Sequence, residues 1–308
     1  MWHIKVPASS ANLGSGLDTL GMALDLWLEL WFTPARDLTI EVHGEGRGQL
    51  SEDETNLVWQ TAEALYRHKT HAPMPRGHLI ASSQIPLGRG LGSSASAVVA
   101  GLMLANVCLD GAMTHRELLK WAVEIEGHPD NVAASLYGGL VMSWPDGERV
   151  MATQYAPPEL DAVLVIPDYE VPTEKARAIL PDRVPRADAI FNAQRVGLWI
   201  DALWRRDWSL LQAAGQDRLH QPYRQVLIRG MDALITSALE AGAAIATLSG
   251  SGPTILALTD PTRTTAVSLA LQHTLNRIPG LNARIQTVAP SHAGAEGRLE
   301  DIRLEHGC

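Results

Sequence analysis

The sequence predicts an α+β fold in two domains, and three observations carry that prediction. Leu24, Leu26, Leu28, Leu30 and Phe32 alternate, as one face of a half-buried strand does. Leu118, Leu119, Ala122 and Ile125 recur at helical spacing behind Thr114 and Glu117, which have the spacing of a capping box. Beyond Ala156-Pro157-Pro158, short apolar runs alternate with longer helical segments, an α+β sandwich by pattern. The boundary is placed there, giving domains of 1–157 and 158–308.

The elements follow in order. Met1–Val6 is apolar enough for a first strand, and Leu24–Phe32 makes a second. Leu38, Ile40 and Val42 alternate in a third, which ends at Gly44-Glu45-Gly46. Asn56–His68 reads as a helix, Gly77–Gln84 as a strand and Ala95–Leu109 as a buried helix of small residues. The capped helix after Thr114 stops at Gly127. Leu140–Trp144 and Arg149–Gln154 flank Pro145-Asp146-Gly147, a hairpin signal. In the second half, strands are expected at 160–166, 243–248, 254–258 and 281–288. Helices are expected at 173–180, 188–204, 207–219, 231–241 and 261–277. Trp199, Trp204 and Trp208 lie at roughly helical spacing and read as core or as the face of a homodimer.

Composition excludes several classes. With 46% hydrophobic and 19% charged residues among 308, the chain can bury a sizeable core and is not disordered. A net charge of −9 without a basic block speaks against nucleic acid as a partner. The run at 95–109 is too short to cross a bilayer, and Met1–Lys5 lacks the apolar segment of a secretory leader. Two cysteines, Cys108 and Cys308, cannot build a disulfide framework, so a cytoplasmic location is expected.

The richest stretch is Pro86-Leu87-Gly88-Arg89-Gly90-Leu91-Gly92-Ser93-Ser94-Ala95-Ser96. Alternate glycines let backbone N–H groups converge, and the loop feeds a helix N-terminus, where anions bind. No lysine follows, which excludes the Walker A pattern, and the glycine spacing is not that of a dinucleotide fold. Two further Ser/Gly loops, Pro7–Asp18 and Leu248–Thr254, follow strands and could converge with it on one polyphosphate.

Together the three loops resemble the three motifs of the GHMP kinase superfamily, in the family's order and over nearly the whole chain. The resemblance implies a first domain like domain 2 of ribosomal protein S5, a ferredoxin-like second domain, and ATP between them. Three finer segments resemble the homoserine kinases: Glu126–Ala134, which holds His128-Pro129-Asp130-Asn131; Val171–Arg177 with Leu180-Pro181; and Asp217–Arg224, which holds Gln221-Pro222-Tyr223-Arg224. No lysine lies between Pro7 and Asp18, unlike mevalonate kinase, and the galactokinase sugar signature is absent.

That resemblance implies ATP-dependent phosphorylation of L-homoserine to O-phospho-L-homoserine, on the route to threonine. Residues 86–96 would wrap the phosphates, with Ser251 and Gly252 from the third loop and Asn56 at the adenine. Asn56 also fits a helix cap. Ser93 and Glu126 would hold Mg²⁺, with Glu126 preferred to Glu124, because magnesium needs few protein oxygens beside phosphates. Arg224 and Arg195 would bind the substrate carboxylate, whose geometry a guanidinium fork matches. Asp18 would take the ammonium, with Asn12 beside it. His128, Asp130 and Asn131, with Glu126, form the catalytic group, and a dedicated general base stays open because positioning dominates phosphoryl transfer. Two alternatives stand beside this reading: another small-molecule kinase of the superfamily, and a non-catalytic sensor with the same fold.

Overall fold

The computed structural model describes residues 1–299, so Cys308 lies outside the described residues. The first sheet is built from β1 (Trp2–Asn12), β2 (Gly16–Pro34), β3 (Thr39–Gly44), β4 (Gly77–Ser83) and the hairpin β5 (Leu140–Asp146) and β6 (Arg149–Tyr155). β2 pairs with β1 along most of its length; its N-terminal half also meets β5, and its C-terminal half meets β4. β3 joins β4 in parallel. The alternation from Leu24 to Phe32 holds: those side chains are buried, while Asp25 is exposed.

One face of this sheet carries α1 (Leu57–Thr70), α2 (Ser93–Cys108), α3 (His115–Glu126) and α4 (Pro129–Tyr137). α2 touches α1, α3, α4 and β1, and its apolar residues run round every face, as an enclosed helix requires. The capping box on α3 forms as expected, with Gly127 at its end in the left-handed region. α4 was not among the expected elements. Its signal is Pro129 at the first helical position, two residues after Gly127.

The second sheet has the order β10-β7-β9-β8 and is antiparallel, from β7 (Asp161–Pro167), β8 (Ile245–Leu248), β9 (Ile255–Thr259) and β10 (Ala283–Val288). With α9 (Met231–Glu240) before β8 and α10 (Thr264–Leu275) after β9, the series β7-α9-β8-β9-α10-β10 is ferredoxin-like. Four helices are inserted between β7 and α9: α5 (Thr173–Ala178), α6 (Arg186–Arg205), α7 (Leu211–Ala214) and α8 (Gln221–Arg224). Period-2 alternation along β7 divides the core. Val163 and Val165 pack under α9 and α10, whereas Ala162, Leu164 and Ile166 join the core of the first domain. One buried apolar cluster therefore runs from the first sheet to the second.

Two expectations need correction, and the reading of the tryptophans divides. The helix expected at 207–219 shrinks to one 3₁₀ turn and α7, because the Asp207 and Asp217 side chains cap backbone N–H groups there and turn the chain. The last described residues leave the second sheet for the first: Ser291 bonds back to Ala23, and β11 (Glu296–Leu299) pairs with β1. The three tryptophans do not share one environment. Trp199 is fully buried, Trp208 is half-buried and Trp204 is 88% exposed. Among the described residues, no helix is long and apolar enough to cross a membrane.

Candidate active site

The three Ser/Gly loops converge between the sheets. Ser249 Oγ donates to Gly90 O at 2.6 Å and lies 2.8 Å from Ser10 Oγ, joining all three. A Cβ at Gly90 would lie 2.3 Å from Ser249 O, so only glycine lets these loops approach so closely. The first loop is held from below by Trp199, whose Nε1 donates to Leu13 O at 3.1 Å.

α2 begins inside this convergence. Its N-cap, Gly92, offers no side-chain cap, and its first turn carries no acid. The N–H groups of that turn thus face the cleft without an intrahelical partner, at the positive end of a 16-residue helix. This is a fitting cradle for phosphate. Two hollows meet at this point. One is apolar, lined by Leu28, Val42, Ala81, Leu87 and Ala97 together with Asn56 and Ser96. The other is polar and holds Asp18, Glu126, His128, Asp130, Asn131 and Arg224. Gly88, Ser93 and Ser94 line both. Asn56 is also the cap of α1, accepting from Val58 N, so both readings of that residue meet in one place.

The remaining loop residues divide. Gly90, Gly92 and Ser251 line the polar hollow. Leu91 and Ala95 are core residues, Ser96 bonds Ser93 O, Pro86 lies on the outer side, and Gly252 bonds Ser249 O within the third loop. Arg89 lines the hollow, but its guanidinium is committed elsewhere. It donates to Leu87 O, Pro167 O and Asp168 O and pairs with Glu170 at 3.1 Å, tying the loop to β7.

On the metal side, Ser94 rather than Ser93 meets the carboxylate, its Oγ donating to Glu126 at 2.9 Å. Glu124 points out and pairs with Lys120. Burial pushes the Glu126 carboxyl up, and the Ser94 bond and His128 only partly offset this. A hydroxyl and an under-compensated carboxylate beside a phosphate cradle are hard oxygen donors that suit a small divalent cation.

Next to them Asp130 is buried, and its carboxyl is pushed up to about 7, first by burial and then by the charge of Asp18. His128 lies 3.7 Å away, its own pKa lowered chiefly by burial. Asn131 Oδ1 accepts from Ser9 Oγ at 3.0 Å, and Ser135 supports Ser9 in turn, so the amide nitrogen of Asn131 is left toward the cleft. Asn12 lines the polar hollow and also holds loops: its Oδ1 accepts from Asp18 N and one N–H of its Nδ2 donates to Gly250 O.

The arginines differ from the sequence expectation. Arg224 is buried and lines the cleft. Arg195 does not line it; its guanidinium lies 4.1 Å from the Phe191 ring centroid, with Arg218 also on that ring. The second cleft arginine is Arg177, whose Nη2 lies 2.5 Å from Asp18 Oδ1. Val171 and Thr173 line the same hollow. The signal for Arg177 was present, since it closes the Val171–Arg177 segment, but spacing alone assigned it no role.

Comparison with known proteins gives one answer. Residues 56–139 match the GHMP kinases N terminal domain and residues 199–277 the GHMP kinases C terminal domain. A homoserine kinase from Synechococcus is 43% identical over 302 residues, covering 96% of this chain and 97% of that protein. One from Carboxydothermus hydrogenoformans is 40% identical, covering 95% of each. The crystal structure of homoserine kinase from Cytophaga hutchinsonii superposes with a TM-score of 0.84 at 30% identity, covering 96% of each chain. A mevalonate kinase structure, at 14% identity and a TM-score of 0.68, shares the fold. Loop convergence, ferredoxin-like second domain and full-length similarity agree, and the chain belongs to the GHMP kinase family, among its homoserine kinases.

Proposed function

We propose that the protein transfers the γ-phosphoryl group of ATP to the side-chain hydroxyl of L-homoserine, giving O-phospho-L-homoserine and ADP on the route to threonine. The observation that supports this most is the charge layout of the polar hollow. Arg224 and the Arg177–Asp18 pair line the same hollow, a match for the carboxylate and ammonium of one amino acid. Asp130 and Asn131 lie in the same hollow as Ser94 and Glu126, where a short side chain carrying a hydroxyl would end.

The adenine takes the apolar hollow near Asn56, and the phosphates follow Gly88–Ser94 into the polar one. Ser94 and Glu126 would hold Mg²⁺, which supplies positive charge to the phosphate oxygens. The helix dipole of α2 and its orphan N–H groups stabilise the charge that develops during transfer. Asn131 donates from its amide toward the reacting oxygens. Asp130, with its pKa near neutrality, is placed to hold the hydroxyl proton. Cys108 plays no part: its thiol is half-buried and pushed up to about 11, a form that stays unreactive in the cytoplasm we assign to this chain.

The test is ADP release with homoserine, serine, mevalonate and galactose as acceptors. Turnover with homoserine at least about tenfold above the others is expected, because each alternative lacks a charged group or misplaces its hydroxyl. ADP release that does not depend on homoserine would overturn the proposal.

A further inference from the structure

Arg224 sits on a buried histidine that no step above uses. His220 is fully buried and precedes α8, one helical turn before Arg224. Its Nε2 lies 2.7 Å from Gly14 O, and a carbonyl oxygen can only accept. Nε2 therefore carries the proton. Asp217, 3.6 Å from the same nitrogen, reinforces that choice, and is itself fixed by Asn192 and by the N–H groups of Leu219, His220 and Gln221. The bare Nδ1 then accepts from Arg224 Nη1 at 3.2 Å.

The rest of the guanidinium is bound as firmly. Arg224 Nε donates to Ala176 O at 3.0 Å and Nη1 also donates to Gly250 O at 3.1 Å. Three bonds to three separate segments fix the plane of the group. They leave Nη2, which has no protein partner among the described residues, as the nitrogen available to a ligand in the cleft.

We infer that His220, held as the neutral Nε2–H tautomer by Gly14, is the residue that orients Arg224 to read the carboxylate of the acceptor substrate. It links the first loop, through Gly14, to the arginine and so to the third loop, through Gly250. Burial and the neighbouring Arg224 charge favour the neutral ring, while Asp217, the Gly14 carbonyl and Asp18 oppose them; the lowered pKa shows which side wins. A doubly protonated ring would point an N–H at the Arg224 N–H groups and break the bond. The inference rests on the proposed homoserine site, and His220 acts through Arg224, touching no reacting atom.

Two isosteric changes separate its two bonds. In His220→Asn the side-chain oxygen can occupy the place of Nδ1 and keep the acceptor for Arg224. In His220→Gln the amide nitrogen can occupy the place of Nε2 and keep the donor to Gly14, but the acceptor is lost. His220→Gln is expected to raise KM for homoserine about tenfold, the worth of a hydrogen bond to a charged group, with KM for ATP unchanged. His220→Asn is expected to stay within about threefold of the parent. Equal effects from both changes, or equal rises in KM for ATP and homoserine, would reduce His220 to a packing residue and overturn the inference. Nitrogen-15 chemical shifts of the histidine rings in the unmodified protein give a second, independent reading. The Nε2–H tautomer at neutral pH is expected, and an Nδ1–H or doubly protonated ring would overturn the inference even if neither variant folds. A parent protein that ignores homoserine would instead refute the proposed function and leave the tautomer reading standing.

Discussion

Replacing Arg177 with glutamine separates a binding role from a stabilising one. The side chain pairs with Asp18 at 2.5 Å and 3.3 Å, and the two side chains are 38% and 41% exposed. An ion pair that open to water contributes about 0–1 kcal/mol, so Arg177→Gln should move the thermal midpoint by less than about 4 °C. A charged hydrogen bond to a bound carboxylate contributes about 1.5–3 kcal/mol, and its loss lowers kcat/KM for homoserine about 10- to 150-fold. Steady-state kinetics with each substrate varied in turn, alongside a melting curve, measure both quantities. KM for ATP should hold, because Arg177 does not line the apolar hollow. Unchanged homoserine kinetics, or matching losses for ATP and homoserine, would refute the assignment.

Other expectations follow from the same geometry. Glu126→Gln should lower kcat at least about 100-fold and raise the magnesium requirement, since several kcal/mol of charge stabilisation pass through that carboxylate; Glu124→Gln, at an exposed residue paired with Lys120, should leave both unchanged in a magnesium titration. Gly92→Ala should lower kcat as well as raise KM for ATP, because its Cβ would fall 2.1 Å from Ser9 Oγ, the hydroxyl that holds Asn131. Gly88→Ala strains the left-handed backbone at φ +62° but meets only the Glu170 side chain, at 3.0 Å, and should raise KM for ATP more than it lowers kcat. Asp130 has a folded pKa of about 7 against an ordinary value of 3.8, so it takes up a proton on folding between those limits. Its contribution to stability is full below about pH 4 and is lost as pH rises through 7. Asp130→Asn removes that dependence, and urea unfolding at pH 5 and pH 8 should show the variant gaining on the parent by at most about 3 kcal/mol, since roughly two pH units of that window lie above pH 5.

Much of this was readable from the chain, for identifiable reasons. Elements whose signal is local were legible: the alternation of Leu24–Phe32, the Thr114–Glu117 box and the glycine loop before α2 each announce themselves within a few residues. What failed was direction. Arg89 sits in the phosphate loop by sequence, yet its side chain turns back to β7. Arg195 and Arg177 are equally plausible carboxylate ligands by residue type; only the fold shows that Phe191 holds the first away while the second faces Asp18. Ser93 and Ser94 are adjacent on α2 and differ by about 100° of helical rotation, which decides which hydroxyl meets Glu126. The pairing of β11 with β1 joins residues almost 300 positions apart and leaves no local trace.

The central claim is tested most directly by phosphorus NMR of a reaction containing ATP, Mg²⁺ and homoserine, with proton–phosphorus correlation to identify the ester. A new phosphomonoester coupled to the side-chain methylene protons of homoserine, formed in step with ADP, is the predicted result. ADP accompanied only by inorganic phosphate, or a phosphoryl group attached to the carboxylate, would contradict the account.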